Sequence, residues 1–197
     1  GDYVHDREWS TSRFATTQST QVAGLVAAPG ELQPGGTTSL TVRQATMPAG
    51  GGRGFPPGYR MYVYSIQLVF GSGTGVRFSN AVTAASSPAD SDMVQVFART
   101  LFTFKVQNKK KSQGPLYKYP SGGGLHLTGY DTSNASNRLW SNNGPPSPRD
   151  QAAYIIPHLL EPNIPFSGAY DFDAALVLGQ TLDVEGHIEG VEQRPVT

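Results

Sequence analysis

Four ionisable residues near the C-terminal end of the chain have the spacing of a possible cation site. Asp183, Glu185, His187 and Glu189 alternate with residues that we expect to face inward, namely Leu182, Val184, Gly186 and Ile188. On a β-strand the four ionisable side chains would share the outer face, about 7 Å apart. A histidine and two carboxylates there could hold a divalent cation with help from a neighbouring strand. The sequence favours the alternative, a solvated outer face whose like charges discourage edge-to-edge pairing.

Other residue types used in catalysis or ion binding are scattered along the chain. Asp131, Asp171 and Asp173 lie among turn residues, outside any D-x-[DN]-x-[DN]-G calcium loop. The four histidines are far apart in sequence, and no G-x-S-x-G nucleophile elbow occurs. The glycines at 71–75 lack the spacing of a dinucleotide-binding loop and predict a hairpin turn. We therefore expect no catalytic residues, no metal ligands, no cofactor and no enzymatic activity.

One region combines basic and aromatic residues. Lysines at 109–111 are followed by two tyrosines, and a tryptophan lies in the polar loop further along. Stacking tyrosines with lysines could bind a nucleic-acid strand or a sugar. A solvated charge run at a strand end, or a contact between subunits, would use the same residues. The candidate interaction residues are Lys109, Lys110, Lys111, Tyr117, Tyr119 and Trp140.

Composition narrows the class of protein. Fifteen basic and fifteen acidic residues cancel, which argues against nucleic acid as a partner because phosphate neutralisation supplies most of that affinity. The chain has no cysteine, so disulfides and thiolate chemistry are excluded. Glycine (23) and proline (15) are enriched, yet 38% of the residues are hydrophobic. This balance predicts a loop-rich globular protein.

Two long runs of alternating residues predict the fold class. The residues from Tyr62 to Phe70 and from Val94 to Gln107 alternate with a period of two, which is typical of half-buried strands. No helical periodicity extends over three turns. Shorter segments also have strand patterns, and the predicted strands are 22–28, 38–43, 60–70, 76–82, 93–107, 125–130, 152–160, 172–178 and 181–191. Segment 152–160 is ambiguous because it contains Pro157.

The predicted strands indicate an all-β fold. About eight antiparallel strands with long loops, such as 108–124 and 131–149, favour a single jelly-roll-like β-barrel or sandwich over an up-and-down meander. We assign residues 29–197 to this β-barrel domain. Residues 1–28 are rich in Ser, Thr, Gln and Ala and predict an N-terminal arm, extended or exchanged between subunits.

Several segments resemble a family of viral proteins. They are 56–63, 164–167, 175–180, 182–186 and 194–195, with the sequences PPGYRMYV, IPFS, ALVLGQ, LDVEG and RP. They resemble coat or other structural proteins of bacterial viruses with a jelly-roll barrel, in particular the upright single-barrel coat proteins of icosahedral, membrane-containing phages. The resemblance implies self-assembly and a second coat protein as partner. It implies no catalytic residues. A shell separated from its genome by internal lipid would also need no basic arm.

We therefore expect a virion structural (capsid or coat) protein that assembles through barrel faces, loops and arm. Its partners would be copies of itself, a second coat protein and internal lipid. The alternative is a carbohydrate-binding module or lectin-like receptor-binding domain. In that case Trp140, Tyr117 and Tyr119 would form a shallow glycan site, with calcium at Asp131 or Asp171. A cupin-like metal enzyme is disfavoured because the histidines are not paired.

Overall fold

The structure is a computed structural model that describes residues 2–47, 54–72, 90–119, 126–130, 139–142, 153–179 and 181–195. Within these ranges the chain is mainly β-strand. The elements in chain order are β1 (Asp2–Phe14), β2 (Thr17–Gln18), β3 (Val22–Gly24), β4 (Arg60–Ser72), α1 (Asp90–Arg99), β5 (Thr100–Val106), β6 (Lys109–Pro115), a 3₁₀ turn (Leu116–Lys118), β7 (His126–Tyr130), β8 (Leu139–Asn142), β9 (Ala153–Leu160), β10 (Phe166–Phe172), β11 (Leu176–Val177) and β12 (Leu182–Arg194).

Eight of these strands form two four-stranded antiparallel sheets. Sheet I has the order β1-β12-β4-β9, and sheet II has the order β3-β10-β5-β6. The eight sheet strands are β1, β3, β4, β5, β6, β9, β10 and β12. When these alone are counted from one to eight along the chain, sheet I has the order 1-8-3-6 and sheet II has the order 2-7-4-5. This is the arrangement of a jelly roll. The predicted all-β, eight-stranded fold is therefore confirmed. The two sheets remain separate, so the molecule is a sandwich and not a closed barrel. Strands β2 and β11 form one additional pair, and β7 and β8 another.

The core lies between the two sheets. Sheet I contributes alternate residues of β12 and β4, such as Ile188 and Leu68, and sheet II contributes Phe102 and Tyr170. The rings of Phe102 and Tyr170 pack with centroids 5.1 Å apart. The inward orientation predicted for Leu182, Val184 and Ile188 of β12 is confirmed, because they belong to the buried core cluster.

The prediction of one strand over 93–107 is wrong in its first half. That half is the helix α1, and only Thr100–Val106 is a strand. Val96 of the helix is buried, and Phe97 packs against Phe70 with ring centroids 5.1 Å apart. A short apolar run fits a period of 2 and a period of 3.6 equally well, which explains the error. Nowhere in the described residues is there a helix with the length and apolarity needed to cross a bilayer.

The prediction of an N-terminal arm over 1–28 is also wrong. Residues 2–14 form β1, which pairs with β12 along its whole length, and Val22–Gly24 pairs with β10 in sheet II. The core-facing positions of β1 include Ser10 and Ser12, whose hydroxyls donate to the carbonyls of Ala27 and Ala23, at 2.8 Å each. Serines that are buried and hydrogen-bonded in this way have no apolar signature, so the composition concealed the strand.

Some other boundaries differ from the predictions. Segment 38–43 forms no strand beyond an isolated bridge between Ser39 and Leu32, and a turn begins at Val42. The start of the predicted loop 108–124 is β6. Gln107 and Asn108 adopt φ values of 51° and 62°, which suit the tight turn that joins β5 to β6. Strands over 60–70, 125–130, 152–160 and 181–191 are confirmed within a few residues. Segment 172–178 contains the end of β10 and the short strand β11. The predicted strand 76–82 and most of the loop 131–149 lie outside the described residues.

Candidate functional site

The ionisable row of β12 is buried. Strand β12 is last in the chain but internal in sheet I, between β1 and β4. Asp183, Glu185, His187 and Glu189 lie on the outer face, as the alternation predicts, yet each is only 7% exposed. The expectation of a solvated face is therefore wrong, because the position of a strand in the sequence does not determine its position in the sheet.

Most of this row has polar side-chain partners, and His187 Nδ1 has none within the described residues. Asp183 accepts two hydrogen bonds from Arg13 and a third from Gln33 Nε2 at 3.2 Å. His187 Nε2 lies 3.2 Å from Glu185 Oε1, and its ring stacks on Trp9 with centroids 5.8 Å apart. The row is thus a ladder of polar contacts that fixes β12 against its neighbours.

Glu189 continues the ladder at the other end of the row. Its carboxylate pairs with Arg7 and accepts from Gln67 Nε2 at 2.7 Å. The four ligand groups of the row do not converge on one ion. Among the described residues, three carboxylates or histidines approach closely enough to share one ion only at Asp6, Glu8 and Glu192.

That second group, the carboxylate cluster, comprises Asp6, Glu8 and Glu192. Glu8 is opposite Ile188 in the β1–β12 register, so it faces the core side of sheet I, and Glu192 is opposite Met61 of β4. The pKa of Glu8 is raised to about 7, mainly by burial and also by the negative charges of Glu192 and Asp6. The Thr46 hydroxyl and Arg194 act in the opposite direction. The cluster has no signature in the sequence, because residues 1–28 have the composition of an arm and Glu192 is distant along the chain.

The six predicted interaction residues do not form one site. The three lysines at 109–111 are exposed on β6, at an edge of sheet II, and Tyr117 is exposed on the following turn. Tyr119, however, is buried, and its hydroxyl lies 2.9 Å from Ser112 Oγ. Burial raises the pKa of Tyr119 to about 12. The side chain of Trp140 lies outside the described part of the structure.

A feature that the sequence analysis missed lies on β9, at the edge of sheet I. The pairing of β4 with β9 runs through Val63 and His158 and resumes at Ser65 and Ala153. Four residues of β9, at 154–157, therefore stand opposite the single residue Tyr64. We call residues 154–157 the apolar bulge. It carries Ile155, which is 99% exposed, and Ile156, which is 79% exposed.

Residues on both sides of the isoleucines anchor the apolar bulge. The Tyr154 hydroxyl donates to Ser112 Oγ at 3.0 Å, and the Tyr154 ring contacts His158 with centroids 4.5 Å apart. Burial lowers the pKa of His158, and the positive charge of Lys111 lowers it further. The lysines of β6 and the apolar bulge therefore occupy the same side of the sandwich.

Comparison with known proteins adds no relative to these observations. No protein-family model matches the chain, and neither curated proteins nor solved structures gave a significant match.

Proposed function

We propose that this chain is a structural subunit of a virion shell, and that copies of it associate through the apolar bulge. Two properties support the proposal. The strand order is that of the jelly roll, an architecture used by viral capsids as well as by lectins and cupins. The apolar bulge then favours assembly among these uses, because it displays two large aliphatic side chains on an anchored segment at the edge of a sheet.

The exposure of Ile155 and Ile156 is the observation that carries the proposal. Single exposed apolar residues are ordinary on protein surfaces, but two adjacent ones on a protruding segment form a contact point. Burying each side chain in a neighbouring subunit would contribute about 1.5–3 kcal/mol. Pro157 removes one backbone donor from this edge, so the bulge is suited to packing into a neighbour and poorly suited to pairing with another strand.

The lysines beside the apolar bulge extend the proposed contact. Within the described residues no lysine takes part in an ion pair. The same chain exposes carboxylates such as Asp2 and Asp173, so a second copy offers groups of opposite charge. The net charge is zero, and copies therefore meet without overall repulsion. Contacts of this kind weaken as salt is added.

The glycan-binding alternative has less support in the structure. It required Tyr117 and Tyr119 to share a shallow aromatic surface with Trp140. Tyr119 is instead buried and hydrogen-bonded within the core, while Tyr117 is exposed. Asp171, the other element of that alternative, accepts a hydrogen bond from Gln21.

Light scattering after size exclusion, over a wide concentration range, tests the proposed function. We expect the mass of the wild-type chain to rise with concentration. The double variant Ile155→Ser/Ile156→Ser should weaken association at least about 100-fold. The matched control Val42→Ser/Val177→Ser removes two exposed aliphatic side chains outside the bulge and should leave association unchanged. A wild-type chain that stays monomeric at all concentrations, or a control that weakens association equally, would contradict the proposal.

A further inference from the structure

The carboxylate cluster carries more negative charge than its surroundings neutralise. Asp6 and Glu8 come from β1, and Glu192 comes from β12. Among the described residues, Arg194 is the one cation whose charge lowers the pKa of Glu8. It donates to Glu192 Oε2 at 3.1 Å and also pairs with Asp6. When all three carboxylates are ionised, as at pH 8, one guanidinium leaves two negative charges, and such charges are costly at the buried Glu8 and Glu192.

Glu8 provides a second and separate observation. It is only 9% exposed, and its Oε2 has no hydrogen-bond partner within the described structure. A buried carboxylate oxygen without a partner loses its hydration and gains nothing in return. This oxygen requires either a proton or a cation close to it.

The number of carboxylates favours calcium. One carboxylate oxygen from each of the three residues lies within 4.8 Å of the others. Ca²⁺ accepts about six to eight oxygen ligands in a flexible geometry, so it can bind three carboxylates together. Mg²⁺ requires a near-octahedral geometry, keeps several waters and is usually held by one or two carboxylates.

We propose that Asp6, Glu8 and Glu192 form a binding site for Ca²⁺ within a single chain. The cation occupies the space between the three carboxylates and offsets the two surplus negative charges. The Arg194 side chain is 39% exposed, so it can move toward solvent as the ion enters. Binding joins β1 to β12 at one end of sheet I.

Thermal unfolding of the full chain tests the site. After EDTA treatment and dialysis at pH 8, saturating CaCl₂ should raise the midpoint of unfolding by about 5 °C or more. MgCl₂ at the same ionic strength should have a clearly smaller effect. Glu8→Gln should abolish the calcium shift. Glu161→Gln, which makes the same change at an exposed position, should retain it.

Several results would overturn the proposal. They are an absent calcium shift in the wild-type chain, an equal shift with magnesium, and an undiminished shift in Glu8→Gln. Equilibrium dialysis of the wild-type chain with ⁴⁵Ca²⁺ keeps the test decisive if that variant does not fold. One bound ion per chain supports the site, and a dissociation constant above about 10 mM overturns it. Neither measurement depends on the proposed role in assembly.

Discussion

Arg13 on β1 and Asp183 on β12 form an ion pair with two hydrogen bonds, in which Nε lies 2.7 Å from Oδ1 and Nη2 lies 2.9 Å from Oδ2. The two residues are directly opposite in the register of sheet I. This geometry uses the planar guanidinium in a way that an ammonium group cannot reproduce. The pair therefore joins the first strand of the chain to the last.

Arg13→Met should lower the free energy of unfolding by on the order of 3 kcal/mol, because Asp183 would remain buried with its charge poorly compensated. Arg13→Lys keeps the charge but loses the paired geometry, so we expect an intermediate loss. Urea unfolding measures both. Arg43→Met is the control. Because Arg43 is exposed, this substitution should lower the free energy of unfolding by less than about 0.5 kcal/mol. Wild-type stability in the lysine variant would contradict the importance of the paired bonds.

The stability of the chain should fall between pH 4.5 and pH 7 because of Glu8. Its pKa rises from 4.5 to about 7 on folding, so the folded chain holds a proton that the unfolded chain has released in this interval. Stability is highest below the unfolded value, decreases as the pH rises, and levels off above the folded value. Across this interval the free energy of unfolding should fall by on the order of 3 kcal/mol.

Glu8→Gln removes this titration, so its profile should be flatter than that of the wild-type chain. Urea unfolding of both proteins at pH 5, 6, 7 and 8 in EDTA measures the difference. EDTA keeps divalent cations from masking the effect. Parallel profiles would show that Glu8 does not titrate in this interval.

Gly190→Ala should destabilise the chain by about 3 kcal/mol or prevent folding. Gly190 lies where the register between β12 and β4 shifts, and a Cβ there would be 1.9 Å from the Tyr62 carbonyl oxygen. The backbone of two central strands would have to separate to accommodate it. Gly179→Ala is the matched control, because its Cβ would meet only the Asp92 carboxylate at 3.5 Å. Thermal unfolding compares the two, and equal midpoints would contradict the prediction.

Alternation of apolar residues predicted β12 from the sequence, whereas β1, with polar inward positions, and β10, which was placed too late in the chain, were not predicted. The alternation in β12 identified Leu182, Val184 and Ile188 as core residues, as the structure confirms. Strand β1 was missed because Ser10 and Ser12 are buried through hydrogen bonds to backbone carbonyls. The sequence predicts a loop at the lysine-rich start of β6, because a tight turn and the pairing with β5, not strand propensity, determine its conformation.

The candidate sites depend on strand pairing over long sequence distances, which no local pattern reveals. Asp6 and Glu192 come together only because β1 pairs with β12. The apolar bulge was visible in the sequence as an ambiguous strand interrupted by Pro157. Its exposure could not be predicted, because it follows from the register shift opposite Tyr64.

Ser112→Ala should loosen the apolar bulge. The Ser112 hydroxyl contacts the hydroxyls of Tyr119 and Tyr154 and thereby links β6 of sheet II to β9 of sheet I. Without it the buried Tyr119 hydroxyl loses its partner, at a cost of about 1–3 kcal/mol. Tyr154→Phe removes only one of the two contacts and should cost less. Hydrogen exchange of the β9 amides should accelerate in both variants, and more strongly in Ser112→Ala.

Because a mobile bulge must be ordered when a neighbouring subunit binds it, association between copies of the chain should weaken in the same order, most in Ser112→Ala. Exchange rates in β9 equal to those of the wild-type chain would show that the hydroxyl network does not anchor the bulge.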